Sequence, residues 1–350
     1  MGDAAYDYAV LGATPLSYLL AGLLAGTHGK SVILIGRPPS PLLPIQGIDL
    51  SVAPVTRPET WALLRSPTAE LVSLLATIDR RLSERVEPHF TAQSPAGVEA
   101  LSHMRHVAAG YGYALERLAT RSGILLRARD AILLDRRRCN LVLPKWCQSL
   151  MVHLAEPDTA VLNFRRDGTL RLEVNGRAYE AQRAILADDG DILACLRGPN
   201  PEWLVPDAQT SILTEPLTRP EPLTIHADTG ITAVPQPGGA LAMVIPGNGS
   251  EATSTAGSVL REPTRIAGRS TYGRVVVRDG GPFVGPLRNP RATVIAGFGM
   301  LGAFMSPALA RHLAGVATET EAAYFAAREG SAARGYVSDW FPAVPEVAAT

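Results

Sequence analysis

Apolar and polar positions change period along the chain, and the N-terminal part shows this most clearly. Short apolar runs at 7–12 and 31–36 are typical of parallel strands buried on both faces. Between them, the leucines from Leu16 to Leu24 recur at helical spacing. Pro15 occupies the first helical position, where its missing N–H costs nothing. The pattern therefore predicts a βαβ unit with its helix over 15–26.

The next part of the chain is proline-rich over 38–58, which predicts a loop. Helical spacing of apolar residues then predicts three helices: 59–85 with a break near Ser66-Pro67, 97–122, and 143–156. The basic run 136–138 predicts a solvated strand end or turn.

Strand patterns occupy most of the remaining chain. Strands are expected within 123–135 and at 184–187, and the dipeptides Asp167-Gly168 and Asn175-Gly176 predict hairpin turns. Prolines crowd 196–240, which predicts loops and edge strands. Near the C-terminus a strand, a glycine-rich turn and a helix follow one another again, beginning at Ala292.

Strand–glycine turn–helix units at both ends, with β-rich sequence between them, predict an α/β fold of mixed sheets. We expect a Rossmann-like nucleotide-binding domain built from discontinuous segments, with an inserted β-rich domain for substrate or partner. The predicted boundaries are 1–60, 130–195 and 282–350 for the first domain, and 61–129 and 196–281 for the second.

Composition excludes several classes of protein. The 33 basic and 33 acidic residues cancel, so no nucleic-acid-binding surface is expected. Acidic residues precede the N-terminal apolar stretch and Lys30 follows it, which argues against a signal peptide and a membrane span. The three cysteines form no CxxC pair, which fits a reducing cytoplasm, and Cys147 is interpreted as a packing thiol. His103 and His106 have the i, i+3 spacing of two ligands on one helix face, but no Cys, Asp or Glu completes a set nearby, so no metal is expected.

The C-terminal segment 273–315 carries a recognisable motif. It resembles the FAD-binding signature of the D-amino-acid oxidase, glycine oxidase and sarcosine oxidase superfamily, in an Asp-Gly-x-Pro-x-x-Gly segment over 279–285 and a Gly-x-Gly-x-x-Gly turn over 297–302. The tail SDWFPAV at 338–344 is similar to the aromatic-proline tail of these flavoproteins. The resemblance implies FAD as cofactor and a small-molecule amine or amino acid as substrate.

The first turn departs from the same family pattern. A dinucleotide fingerprint has three glycines and an acidic residue at the end of the second strand, for the pyrophosphate and the ribose. Here Gly12 occupies the first glycine position. Thr14 replaces the second glycine, Ser17 replaces the third, and Gly36 replaces the acid. The Thr14 hydroxyl could donate to a phosphate or its side chain could clash. Arg37 either contacts the adenosine end or a phosphate, or is solvated.

By this resemblance, two turns and the end of the second strand form the cofactor site. The implied cofactor-binding residues are Gly12, Ala13, Thr14, Pro15, Gly36, Arg37, Gly297, Gly299, Met300, Leu301 and Gly302.

The resemblance also implies a substrate-anchoring arginine five residues before Asp279, which is Arg274. A guanidinium binds a carboxylate through two parallel hydrogen bonds. Val275 stands where the family has proline, and a structural ion pair is an equally good interpretation of Arg274. Tyr272 shares a strand face with Arg274 and is the second candidate for substrate contact.

Three functions remain open from the sequence. The first is an FAD-dependent amine or amino-acid oxidase or dehydrogenase. The second is a non-catalytic subunit of the same fold that has lost FAD and serves as a partner in a heteromeric complex, which the altered first turn favours. The third is an NADP-binding reductase with Arg37 on the 2′-phosphate, which leaves the C-terminal motif unexplained.

Overall fold

The computed structural model describes residues 4–40, 43–156, 160–165, 167–174, 176–195, 203–219, 221–260, 265–278, 280–287 and 292–329. Asp279, Asn175 and the tail 338–344 lie outside the described residues.

The first sheet contains the predicted βαβ unit. Its central strands β1, β2 and β11 are parallel. The strand order is β17-β18-β11-β1-β2-β8, so further strands flank the central ones on both sides. Antiparallel β9 and β10 continue from β11 as a meander. The bounds are β1 Ala4–Leu11, β2 Val32–Ile35, β8 His153–Ala155, β9 Ala160–Phe164, β10 Leu170–Val174, β11 Arg177–Leu186, β17 Phe283–Pro286 and β18 Thr293–Ala296.

The second sheet is mostly antiparallel, in the order β16-β12-β15-β14-β13-β4-β6-β5, with a parallel pair β13–β4. A separate pair, β3 with β7, lies outside both sheets. The bounds are β3 Ser83–Val86, β4 His89–Ala92, β5 Leu115–Leu118, β6 Ile124–Ala128, β7 Ala131–Leu134, β12 Leu204–Thr214, β13 Thr224–His226, β14 Ile231–Pro235, β15 Leu241–Pro246 and β16 Ile266–Val277.

Eight α-helices surround the sheets within the described residues: α1 Pro15–Gly26, α2 Pro58–Ile78, α3 Pro95–Gly110, α4 Arg136–Ser149, α5 Asp189–Cys195, α6 Gly249–Val259, α7 Ser306–Ala314 and α8 Glu319–Ala326. α1 packs on both α4 and α7 and is buried along most of its length. This burial explains why leucines occupy more than one face of the helix.

One hydrophobic cluster joins the two sheets. It includes Leu19 of α1, Trp61 of α2, Phe90 of β4 and Phe304 before α7, all nearly inaccessible to solvent. A shared core of this kind stabilises both sheets together. The division at the predicted domain boundaries therefore stays a prediction.

The predicted helix over 15–26 and the α/β fold class are confirmed. Two hairpins also form, between β9 and β10 and between β10 and β11. The break predicted at Pro67 is wrong: α2 continues through it, because Leu63, Leu64, Leu71 and Leu75 bury one face on both sides of the proline.

Other helix predictions were too long or shifted. The 97–122 helix is wrong in its second half: α3 ends at Gly110, Gly112 adopts φ +82°, and β5 follows. The 143–156 helix starts earlier, at Arg136, because Asp135 caps its first turn by accepting from the Arg138 N–H. It ends at Ser149, because residues 153–155 form β8 and pair with β2.

The expectation of loops and edge strands over 196–240 is also wrong in part. β12 is an eleven-residue strand between β15 and β16, not at an edge. Its proline, Pro206, has its Cα paired with Val275 of β16 and lies beyond the stretch paired with β15, which begins at Gln209. A proline at that position interrupts only one ladder.

Candidate functional site

A cavity of about 1110 Å³ lies where the carboxyl ends of β1, β11 and β18 face β12 and β16. Segments 46–49, 187–190, 272–277 and 295–300 line it, with Thr14 and Leu16 at one side. Ligands of open α/β sheets bind at the carboxyl ends of the parallel strands. The cavity is therefore the candidate binding site.

Residues of the first turn, 12–17, hydrogen-bond to one another. Thr14 is the N-cap of α1, and its Oγ1 accepts from the Ser17 backbone N–H at 3.4 Å and lies 3.0 Å from the Ser17 Oγ. Gly12 adopts φ +147°, and a Cβ there would fall on the Ser17 hydroxyl and lie 2.9 Å from the Asp188 Cβ. Of the first-turn donors, Pro15 has no N–H and that of Ser17 is already used.

The end of β2 lies directly against this turn. A Cβ at Gly36 would fall on the carbonyl oxygen of Gly12 and lie 2.6 Å from its carbonyl carbon. No side chain fits at position 36 in this conformation, which is the physical reason for glycine where the family pattern has an acid. The next residue, Arg37, is half-exposed and forms an ion pair with Glu156 at 3.0 Å.

The C-terminal glycine turn lines the same cavity, with Gly302 close to Leu16 of α1. Gly297 adopts φ +73°, and a Cβ there would lie 2.9 Å from the Gly281 carbonyl oxygen. Gly299 also has positive φ, and the chain then winds through two short 3₁₀ helices, Gly299–Leu301 and Ala303–Met305, before α7. The sequence predicted a direct passage from turn to helix and missed these 3₁₀ turns.

Seven of the sequence-predicted site residues line the cavity: Thr14, Tyr272, Arg274, Gly297, Gly299, Met300 and Gly302. The remaining six do not: Gly12, Ala13, Pro15, Gly36, Arg37 and Leu301.

Arg274 and Tyr272 lie on β16, two residues apart, as the strand alternation predicted. The Arg274 Nε and Nη2 both lie 2.7 Å from Asp207 Oδ2 on β12. The Tyr272 hydroxyl donates to Gln209 Oε1 at 3.1 Å, and burial raises the pKa of Tyr272 above its ordinary value. Arg274 thus meets the cavity as one member of an ion pair.

Sequence analysis missed a second ion pair on the wall. The Arg136 Nε donates to Asp49 Oδ2 at 2.6 Å, and Nη1 donates to the Gln46 carbonyl oxygen. Burial alone would lower the pKa of Arg136, but Asp49 holds it above its ordinary value. The expectation of a solvated basic run is wrong for Arg136. No local pattern could indicate this pair, because the two partners are 87 residues apart.

The carboxyl end of β11 carries aspartates with altered titration. Burial, with the Asp188 charge, raises the pKa of Asp189 to about 7, although the Val275 N–H, Arg274 and Arg136 oppose the shift. Burial and Asp188 also raise the pKa of Asp191 to about 7. Sequence analysis predicted only a strand at 184–187 here, so these aspartates were missed.

The cavity wall is acidic in balance. Its lining includes five aspartates, at 49, 188, 189, 207 and 228, and two arginines, Arg136 and Arg274. Each of these arginines already faces a carboxylate. Anionic groups of a ligand therefore have to displace an aspartate to reach a guanidinium.

Cys147 and Cys139 are buried, and Cys147 is a packing thiol as predicted. Burial raises the pKa of Cys147 to about 12 and that of Cys139 further, which disfavours the thiolate. Among the described residues, no three His, Cys, Asp or Glu side chains group as metal ligands. None of the helices described has the length and apolar character needed to cross a membrane.

No protein-family model matches the chain, and no curated protein sequence matches it. Solved structures do match it over nearly its full length. Glycine oxidase from Geobacillus kaustophilus has 16% identity and a TM-score of 0.68, with 94% of this chain and 96% of that chain covered. L-proline dehydrogenase from P. horikoshii has 12% identity and a TM-score of 0.70, with 93% and 97% covered.

Iminodiacetate oxidase from Chelativorans sp. BNC1 has 18% identity and a TM-score of 0.63, with 88% of this chain and 94% of that chain covered. At such identities the likeness establishes architecture, and a shared fold does not fix function. It confirms the fold that the sequence resemblance implied. The chain has the fold of the amino-acid oxidases and dehydrogenases represented by glycine oxidase and L-proline dehydrogenase.

Proposed function

We propose that this protein is an FAD-dependent oxidoreductase that oxidises an amine or an amino acid. The observation that carries the proposal is the cavity of about 1110 Å³ between the glycine turn at 297–302 and β16. Structures with the same fold are named for oxidation of glycine, proline and iminodiacetate, which supports the same class of chemistry here.

The lining of the cavity supports binding of the flavin half of FAD. Gly297, Gly299 and Gly302 present backbone to it instead of side chains, and the close approach of Gly297 to Gly281 leaves no room for a Cβ. The planar ring system of a flavin can lie against backbone that carries no side chains. A flavin held there supplies a two-electron acceptor for hydride from the carbon beside the substrate nitrogen.

Arg274 and Tyr272 are the residues we propose for orienting the substrate. Arg274 would bind a substrate carboxylate in exchange for Asp207, and Tyr272 would supply a neighbouring hydroxyl. Asp189 lines the same cavity, and a pKa of about 7 suits it to hold the proton lost by a substrate ammonium group. Hydride can leave only after that proton has gone, because the nitrogen lone pair has to be free.

A second candidate function is a non-catalytic subunit that binds no flavin and serves a partner protein. The geometry of the first turn favours it, since Thr14, Pro15 and Gly36 remove contacts that a dinucleotide uses. The NADP alternative has no comparable support, because Arg37 pairs with Glu156 and does not line the cavity.

The visible absorption spectrum of the purified protein, recorded after incubation with FAD and gel filtration, distinguishes the two candidates. Flavin absorption that co-elutes with the protein, and is bleached by an amine or amino acid without oxygen, supports the oxidoreductase. A colourless protein at saturating FAD refutes it and leaves the partner-subunit function. Arg274→Ala then tests carboxylate anchoring in the coloured protein.

A further inference from the structure

We infer that this chain has lost recognition of the adenosine diphosphate half of a dinucleotide, and that a flavin is held by its ring end alone. Riboflavin and FMN should therefore bind about as tightly as FAD. The flavin part of this inference rests on the proposed function. The adenosine diphosphate part stands on the first turn and on the residues that lie against it.

The first step concerns the phosphate donors. A helix N-terminus binds phosphate through backbone N–H groups that have no partner in the helix. At α1, two of these donors are unavailable, because Pro15 has no N–H and the Thr14 Oγ1 accepts from that of Ser17. The chain has capped this helix end with its own side chain, as N-capping residues do in helices without ligands.

The second step concerns charge. Asp188 lies beside the turn: its Cβ is 2.9 Å from the place a Cβ on Gly12 would occupy, and its Oδ1 accepts from the Gly190 N–H at 2.8 Å. A pyrophosphate at the turn would bring negative charge next to this aspartate. Like charges at such a site repel, and both arginines of the cavity are already engaged by other aspartates.

The third step concerns the ribose. The acid that binds ribose hydroxyls in dinucleotide sites stands at the end of the second strand. Here that position is Gly36, and the Gly12 carbonyl oxygen fills the space its side chain would need. The turn and the strand end are packed against each other where the adenosine would pass.

The outline of the cavity agrees with these contacts. Thr14 and Leu16 line it on the α1 side, but the described residues of β2, Gly36 and Arg37 do not. The cavity therefore reaches the N-terminus of α1 and does not continue along the end of β2. The glycine turn at 297–302 lies within its lining, so this cavity offers space to the ring end of a flavin.

Titration of the full-length protein with riboflavin, FMN, FAD and ADP tests the inference. We expect dissociation constants of the three flavins within about threefold of one another, and no displacement of flavin by millimolar ADP. FAD binding more than tenfold tighter than riboflavin overturns the inference, as does competition by ADP. If no flavin binds, the proposed function fails, and ADP alone decides: calorimetric binding of ADP overturns the loss of recognition, and its absence supports it.

A pair of variants tests the structural cause. Thr14→Gly with Pro15→Ala frees the Ser17 N–H and adds a second donor, so ADP should become a measurable ligand, and FAD, where flavin binds, should gain at least tenfold over riboflavin. The control Thr14→Ser keeps a capping hydroxyl and should leave every affinity unchanged. Asp188→Asn is a second route that leaves the cap intact, and it should strengthen ADP and FAD but not riboflavin. Unchanged ADP and FAD affinities in both the double variant and Asp188→Asn, with both proteins folded by circular dichroism, overturn the inference.

Discussion

Asp207→Asn is the perturbation that separates the two interpretations of Arg274. Asp207 Oδ2 lies 2.7 Å from two guanidinium nitrogens, and the two side chains are 37% and 28% exposed, respectively. A fully exposed pair contributes about 0–1 kcal/mol, and a charge-assisted hydrogen bond about 1.5–3 kcal/mol. For this half-exposed pair we take about 1–2 kcal/mol as the cost of displacing Asp207.

That cost sets the expected change in affinity. Since about 1.4 kcal/mol is tenfold in a binding constant, a carboxylate that competes with Asp207 should bind roughly 5- to 30-fold more tightly to the variant. A ligand without a carboxylate should show no such gain. The folded state itself should lose about the same 1–2 kcal/mol, because the variant removes the same ion pair.

Binding of L-proline and pyrrolidine, which differ by one carboxylate, is the assay. Proline should bind more tightly to Asp207→Asn than to the wild type, and pyrrolidine should not. The double variant Asp207→Asn/Arg274→Ala should show no gain in proline affinity. Glu156→Gln, which breaks the distant pair with Arg37, is the matched control and should change neither ligand. Equal behaviour of proline and pyrrolidine in all variants would refute Arg274 as a carboxylate anchor.

Three further predictions concern stability. Gly36→Glu restores the acid of the family pattern but forces the first turn apart, so it should destabilise the fold by about 1–3 kcal/mol in thermal denaturation, while Gly110→Glu, at a position with open space around the Cβ, should not show this steric loss. Arg136→Met leaves Asp49 buried without its cation and should cost about 3–5 kcal/mol in urea denaturation, whereas Arg136→Met with Asp49→Leu should recover most of it. The pKa of Asp189 is raised from 3.8 to about 7. Its contribution to stability is therefore fully present below about pH 4 and is lost as the pH rises through 7. Asp189→Asn should flatten the profile of unfolding free energy against pH over this range.

Each of these predictions has its own contradicting result. Equal melting temperatures of Gly36→Glu and wild type would mean that the turn and strand end are not packed as described. A double variant at 49 and 136 no more stable than Arg136→Met alone would contradict the unpaired charge as the cause. A pH profile unaffected by Asp189→Asn would mean that Asp189 does not titrate near neutrality.

Local pattern was enough to predict the elements whose stability is local. α1 has both its proline start and its leucine spacing in sequence, and its bounds agree with 15–26. The glycine turn at 297–302 requires positive φ and close backbone approach, and glycine is the residue that allows both. The helix α1 and the glycine turn at 297–302 were therefore the features from which the fold was predicted.

Elements that depend on distant partners were not predictable in the same way. β5 exists because it pairs with β6, and its four residues carry too little pattern to break the predicted helix over 97–122. The site follows the same rule. The Asp49–Arg136 pair and the contact of Gly36 with Gly12 join residues far apart in the chain, so only the folded structure brings them together.

The stoichiometry of flavin on the protein, measured by equilibrium dialysis against FAD, tests the central claim most directly. The account predicts close to one flavin per chain, bleached on anaerobic addition of an amine or amino acid. A protein that retains no flavin at saturating FAD would contradict it, and the cavity would then have to serve a different ligand.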